Sequence, residues 1–133
     1  MAITLSTDRL DGLQGVTVGG IYARIQSVTV KNYDSGGGSE GTDPMYKLLY
    51  DVVLFASASV RQAPGESPEW RNRMRSRQID HFTCEISLAD LSAAGANPYT
   101  MAYANLKSRL AKNDGGESPT RDSPAIATEI TDA

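Results

Sequence analysis

The residues in this chain with the clearest chemical pattern are arginines. In the stretch Trp70-Arg71-Asn72-Arg73-Met74-Arg75-Ser76-Arg77 they recur at every second position. On a strand, Arg71, Arg73, Arg75 and Arg77 would share one face, about 7 Å apart. Four like charges in a row repel one another, so something must compensate them. A nucleic-acid backbone would do so, with Trp70 stacking on a base. An acidic surface of a partner subunit would serve equally well, as would carboxylates in the same sheet. Solvation at an exposed edge is the plainest alternative, because charged side chains blunt strand edges.

Other reactive residue types are sparse. His81 is the sole histidine and Cys84 the sole cysteine. A catalytic imidazole needs an orienting partner and a nucleophile. His81 stands in an expected strand beside Asp80, which alternation sends to the other face, and no G-x-S-x-G turn accompanies it. A hydrolase reading rests on His81 alone, and a surface or packing role fits better. Cys84 shares its parity with Phe82 and Ile86 and reads as an inert, buried thiol. One cysteine allows no internal disulfide, and one cysteine with one histidine makes no Cys/His zinc site. Gly36-Gly37-Gly38 lacks the Lys and Ser/Thr of a P-loop. Asp34, Glu40 and Asp43 do not have EF-hand spacing. No catalytic, cofactor-binding or metal-ligating set is assigned, and no small-molecule substrate is expected.

Charge distribution bears on the arginines. The chain has 133 residues, with 13 Lys and Arg against 16 Asp and Glu. Residues 1–112 hold 12 basic and 11 acidic side chains, a net of +1, whereas residues 113–133 carry a net of −4. A near-neutral body favours intrachain pairing or a protein partner over nucleic acid, whose readers are generally basic. The acidic tail is itself a candidate partner for the arginines. No apolar run reaches transmembrane length, so no membrane partner is expected. The opening MAITLSTDRLDG has neither a basic n-region nor a long apolar segment, which argues against a signal peptide.

The elements that must position these residues are mostly strands. Ile3 and Leu5 alternate before Asp8, Asp11, Gly12 and Gly15 break the pattern, so residues 1–20 read as a short strand and an irregular arm. Residues 21–33 form a strand whose apolar parity switches from Ile21, Ala23 and Ile25 to Val28 and Val30, which signals a bulge at Gln26-Ser27. Residues 34–44, DSGGGSEGTDP, are a flexible hairpin tip or insertion. Residues 45–61 are the strongest strand, with Tyr46, Leu48, Tyr50, Val52 and Leu54 on one parity. A Pro- and Gly-containing turn over 62–69 leads to a long strand over 70–87. Residues 88–96 are a connector with room for one helical turn. Asn97 as N-cap and Pro98 at the first position then open a helix over 97–112, with an apolar stripe of Tyr99, Ala102, Tyr103, Leu106 and Leu110. The tail 113–133 holds two large aliphatics, Ile126 and Ile130.

The fold expected is β-rich: an antiparallel sheet or small β-sandwich with one C-terminal helix packed on it. The domain spans 21–112, flanked by an N-terminal arm (1–20) and an acidic tail (113–133) that is either flexible or ordered by a partner. Long strands without alternating helices argue against a parallel sheet.

A strand carrying Phe82-Thr83-Cys84-Glu85-Ile86 leads to Asn97-Pro98, Ala102-Tyr103 and Leu106-Lys107, the pattern N-P-x-x-x-A-Y-x-x-L-K. With the earlier strand Ile21-Tyr22-Ala23-Arg24-Ile25, this resembles small structural proteins of tailed bacteriophages over roughly residues 20–110. The resemblance implies a non-enzymatic virion component, assembled in the host cytoplasm and present in many copies. Its partners would be copies of itself and other virion proteins. Tail or baseplate is the first location, and a head-decoration protein stabilising the capsid is the alternative. A nucleic-acid-binding module built on the Arg71–Arg77 strand is the competing reading from another class. The candidate interface residues are Trp70, Arg71, Arg73, Arg75, Arg77, Ile126 and Ile130, with residues 1–12 and 113–133 as arms to neighbours.

Overall fold

A computed structural model describes residues 2–13, 15–33, 45–57, 73–112 and 125–133. The strands are β1 (Ile3–Thr7), β2 (Val18–Tyr33), β3 (Met45–Phe55), β4 (Arg73–Met74), β5 (His81–Ser87) and β6 (Glu129–Asp132), with helices α1 (Leu88–Ser92) and α2 (Pro98–Leu110) between β5 and β6. All strands join one antiparallel sheet in the order β4-β3-β2-β1-β6. β5 lies beyond β4's position along the same side of β3. The β-rich class with a helix after the sheet is as the sequence leads one to expect, and the sheet is single. Among the described residues, no helix is long and apolar enough to cross a membrane.

The frame is the pair β2–β3, in register from Tyr22 opposite Phe55 to Tyr33 opposite Met45. Its register shifts between Ile25 and Ser27. That is the parity switch visible in the sequence. An extra residue in β2 keeps Ile21, Ala23 and Ile25, and then Val28, on the same face as Leu48, Tyr50, Val52 and Leu54. These side chains form the core with Ile3, Leu5, Phe82, Ala102, Leu106 and Leu110.

Helix α2 covers that core. Asn97 caps it, its Oδ1 accepting from the Tyr99 N–H at 2.9 Å, and Pro98 takes the first turn. Ala102, Tyr103, Leu106 and Leu110 turn inward. Tyr99 remains 44% exposed, so it belongs to the rim and not to the apolar stripe. Polar side chains then tie the helix across the sheet. Tyr103 Oη accepts from the Ile25 N–H at 2.9 Å, at the bulge. Tyr50 donates its hydroxyl to Asn105 Oδ1 at 2.5 Å. Arg109 donates to the Thr83 carbonyl of β5 at 2.7 Å, and Lys107 reaches Asp132 of β6 at 3.1 Å.

The strand expected over 70–87 is corrected. β4 holds two described residues, and 75–80 leave the sheet before β5 begins. The physical reason is Ile79, which shares the arginine parity yet is 2% exposed in the core. An unbroken strand placing the arginines outward would place Ile79 outward with them. The chain instead turns, with the Ile79 N–H donating to the Ser76 carbonyl and the Asp80 carbonyl accepting from the Val52 N–H.

The end of the acidic tail also departs from a free arm. Residues 126 and 127 return beside the helix end, the Ile126 N–H donating to the Lys112 carbonyl and the Ala127 N–H to the Leu110 carbonyl. β6 then pairs with β1, Ile130 opposite Leu5. The glycine-rich stretch 34–44, the turn 62–69 and residues 113–124 lie outside the described residues.

Candidate functional site

Of the arginine series, Trp70 and Arg71 lie outside the described residues. Arg73 is in β4, while Arg75 and Arg77 stand exposed in the turn that follows. This turn is clasped to the loop after β1. The Asp11 N–H donates to the Arg75 carbonyl at 2.9 Å, and the Arg77 N–H donates to Asp11 Oδ1 at 3.2 Å. Buried Ser76 donates its hydroxyl to the Arg9 carbonyl at 2.7 Å, and the Arg9 guanidinium bonds the Gln78 side chain. The loop can supply these groups because Gly12 and Gly15 take φ of +79° and +82°, where a side chain would be strained.

Carboxylates of the same chain line the clefts beside these arginines. One cleft is lined by Asp8, Arg9, Asp11, Arg77 and Gln78. A neighbouring one brings Arg73, Arg75 and Arg77 together with Asp11 and Asp80. The sequence could not name Asp11 as a neighbour of this turn, because it is some sixty positions away. The strand geometry on which the nucleic-acid module rested is not the geometry of residues 75–77.

His81 opens β5 with its side chain 76% exposed, Nδ1 3.4 Å from Asp80 Oδ2. Its partner across the ladder is Asp51, whose Oδ2 accepts from Ser27 Oγ at 2.8 Å. Ser27, Thr29, Lys31, Asp51, His81 and Thr83 thus border a shallow cleft of about 220 Å³ on the face away from α2. Serine, histidine and aspartate are near one another but in the wrong sequence of bonds. The Ser27 proton goes to a carboxylate, and the imidazole is oriented only by an exposed neighbour. Nucleophile activation needs the serine bonded to the imidazole.

Cys84 sits on the core face of β5, half-buried. Burial pushes its thiol above the ordinary range, with Arg109 acting the other way. A thiol held protonated is a poor nucleophile. Burial likewise pushes the Tyr50 phenol well up, reinforced by Cys84 and opposed by Arg109. Tyr103 is raised first by burial, although the hydrogen bond from Ile25 lowers it. Phe82 stacks on Tyr50 at 5.5 Å, and the Arg109 guanidinium lies 5.9 Å from the Phe82 ring centre.

The two aliphatics proposed for a partner are engaged at home. Ile126 is 1% exposed in the core, its carbonyl accepting from Thr7 Oγ1 at 2.6 Å. Ile130 packs partly buried against the same core. The Ala125-Ile126-Ala127 triplet followed by alternating Glu129-Ile130-Thr131-Asp132 is a short strand pattern that the tail's overall polarity concealed.

Among the described residues, no strand pairs with the outer backbone edge of β5. Arg109 bonds the Thr83 carbonyl, so that group points away from β3. In an antiparallel ladder both backbone groups of one residue point the same way, and alternate residues point oppositely. His81, Thr83, Glu85 and Ser87 therefore direct their backbone groups outward. Arg109 bonds one of these groups, the Thr83 carbonyl. No sequence signal marked this edge, because the 70–87 segment read as one continuous strand.

No protein-family model matches this chain, and no significant match emerges among curated proteins or solved structures.

Proposed function

We propose that this chain is a non-enzymatic structural protein of a tailed-phage particle, working in many copies through its surfaces, in the tail or baseplate. The observation that carries the reading is the outer edge of β5, which pairs with no strand among the described residues. A seven-residue edge is a template for another strand, and chains without such a use tend to cover it. Polar side chains elsewhere in the described fold are engaged within it. Ser27, Asp11, Ser76, Tyr103 and Asn105 all make structural hydrogen bonds.

The residues behind the phage resemblance have structural work that fits this role. Asn97 and Pro98 start the helix, Tyr103 holds the bulge, and Lys107 fastens the terminal strand. Antibody labelling of purified particles, read by electron microscopy, tests the proposal. Label at the tail end is expected. Label on the head would move the protein to capsid decoration, and particles lacking the chain would overturn the reading.

A further inference from the structure

We infer that β5 is the contact between copies: two chains join by pairing their β5 edges antiparallel across a two-fold axis through Cys84. This rests on the multi-copy reading above and gives it a specific interface.

The strand is complementary to itself in that register. Its sequence is His81-Phe82-Thr83-Cys84-Glu85-Ile86-Ser87. A two-fold axis at Cys84 sets Phe82 opposite Ile86 of the second copy, Thr83 opposite Glu85, and His81 opposite Ser87. Apolar residues meet apolar ones, and no like charges stand directly opposite. The outward backbone groups of Thr83 and Glu85 fall together as a hydrogen-bonded pair.

The edge is guarded in one place. Arg109 occupies the Thr83 carbonyl that the second copy's Glu85 N–H would also seek. A carbonyl has two lone pairs, so the guard weakens pairing without forbidding it. The axis also has a chemical marker. The backbone groups of Cys84 point towards β3, so the two Cys84 residues would meet as a non-hydrogen-bonded pair. Their Cα atoms would then be about 4.5 Å apart, inside the range that a disulfide spans. Cys84 is the sole cysteine, so any disulfide-linked dimer is Cys84 to Cys84.

The test is copper-phenanthroline oxidation of the full chain, read on non-reducing gels beside light scattering of the unoxidised protein. The folded chain should cross-link faster than the urea-unfolded chain. Thr83→Pro removes an outward N–H while leaving the β3 ladder untouched. It should weaken association about thirtyfold through two lost hydrogen bonds per dimer. Arg109→Ala removes the guard and should strengthen association. If light scattering shows an oligomer, but cross-linking is no faster than in urea and Thr83→Pro associates normally, the β5 interface falls and multi-copy assembly stands. A strict monomer at all concentrations overturns both. The wild-type cross-linking rate decides the matter even where a variant fails to fold.

Discussion

Tyr103 does two jobs with one side chain: its ring fills the space under α2, and its hydroxyl accepts the Ile25 N–H that the bulge turns away from β3. Tyr103→Phe keeps the ring and leaves that buried N–H without a partner. It should destabilise the fold by about 1–3 kcal/mol, measured by urea unfolding. Tyr50 gives a pH signature. Its native pKa is raised by burial above the ordinary value of 10, so it holds its proton after the unfolded chain has lost it. Stability from this residue is complete below pH 10 and falls as pH rises beyond it. The slope is about 1.4 kcal/mol per pH unit while the difference is one proton. Tyr50→Phe should flatten that alkaline limb, and an unchanged limb would show that Tyr50 does not govern it. His81 contrasts with both tyrosines. It is exposed and weakly partnered, and His81→Ala should shift stability by less than about 0.5 kcal/mol.

At the scale of elements, what was legible depended on how far apart the cooperating residues lie. The β2 bulge, the β3 core parity and the start of α2 are each encoded within a few residues, by alternation and by Asn97-Pro98. The turn at 75–80 was not legible, because it depends on Asp11 and Arg9 reaching Arg75, Ser76, Arg77 and Gln78 from the other end of the chain. The alternating arginines imitate a strand, and only buried Ile79 breaks the parity. The place of β6 was hidden similarly. A mainly polar tail looks autonomous until Ile126 is seen in the core and Ile130 opposite Leu5. The proposed interface shows the same divide: residue types such as arginine and isoleucine stand out in a sequence, whereas the β5 edge proposed above is a property of the backbone. Ile126 supplies the prediction here. Ile126→Ala should cost about 2–5 kcal/mol and release β6. Hydrogen exchange at 129–132 should then rise well above that of β3, while exchange unchanged in both strands would mean β6 is held without Ile126.

For the whole molecule, the fold is one curled sheet fastened from several directions by side chains of α2 and by the clasp between residues 8–11 and 75–78. That construction favours a rigid body offering a defined edge. Assembly through β5 relies on backbone bonds and apolar contacts, so it should depend weakly on salt. The most direct measurement is the mass of the full chain by light scattering over rising concentration, at low and high salt. The mass is expected to climb from the 14.3 kDa monomer to a defined multiple, with little change between the two salts. A mass fixed at the monomer value under every condition would contradict it.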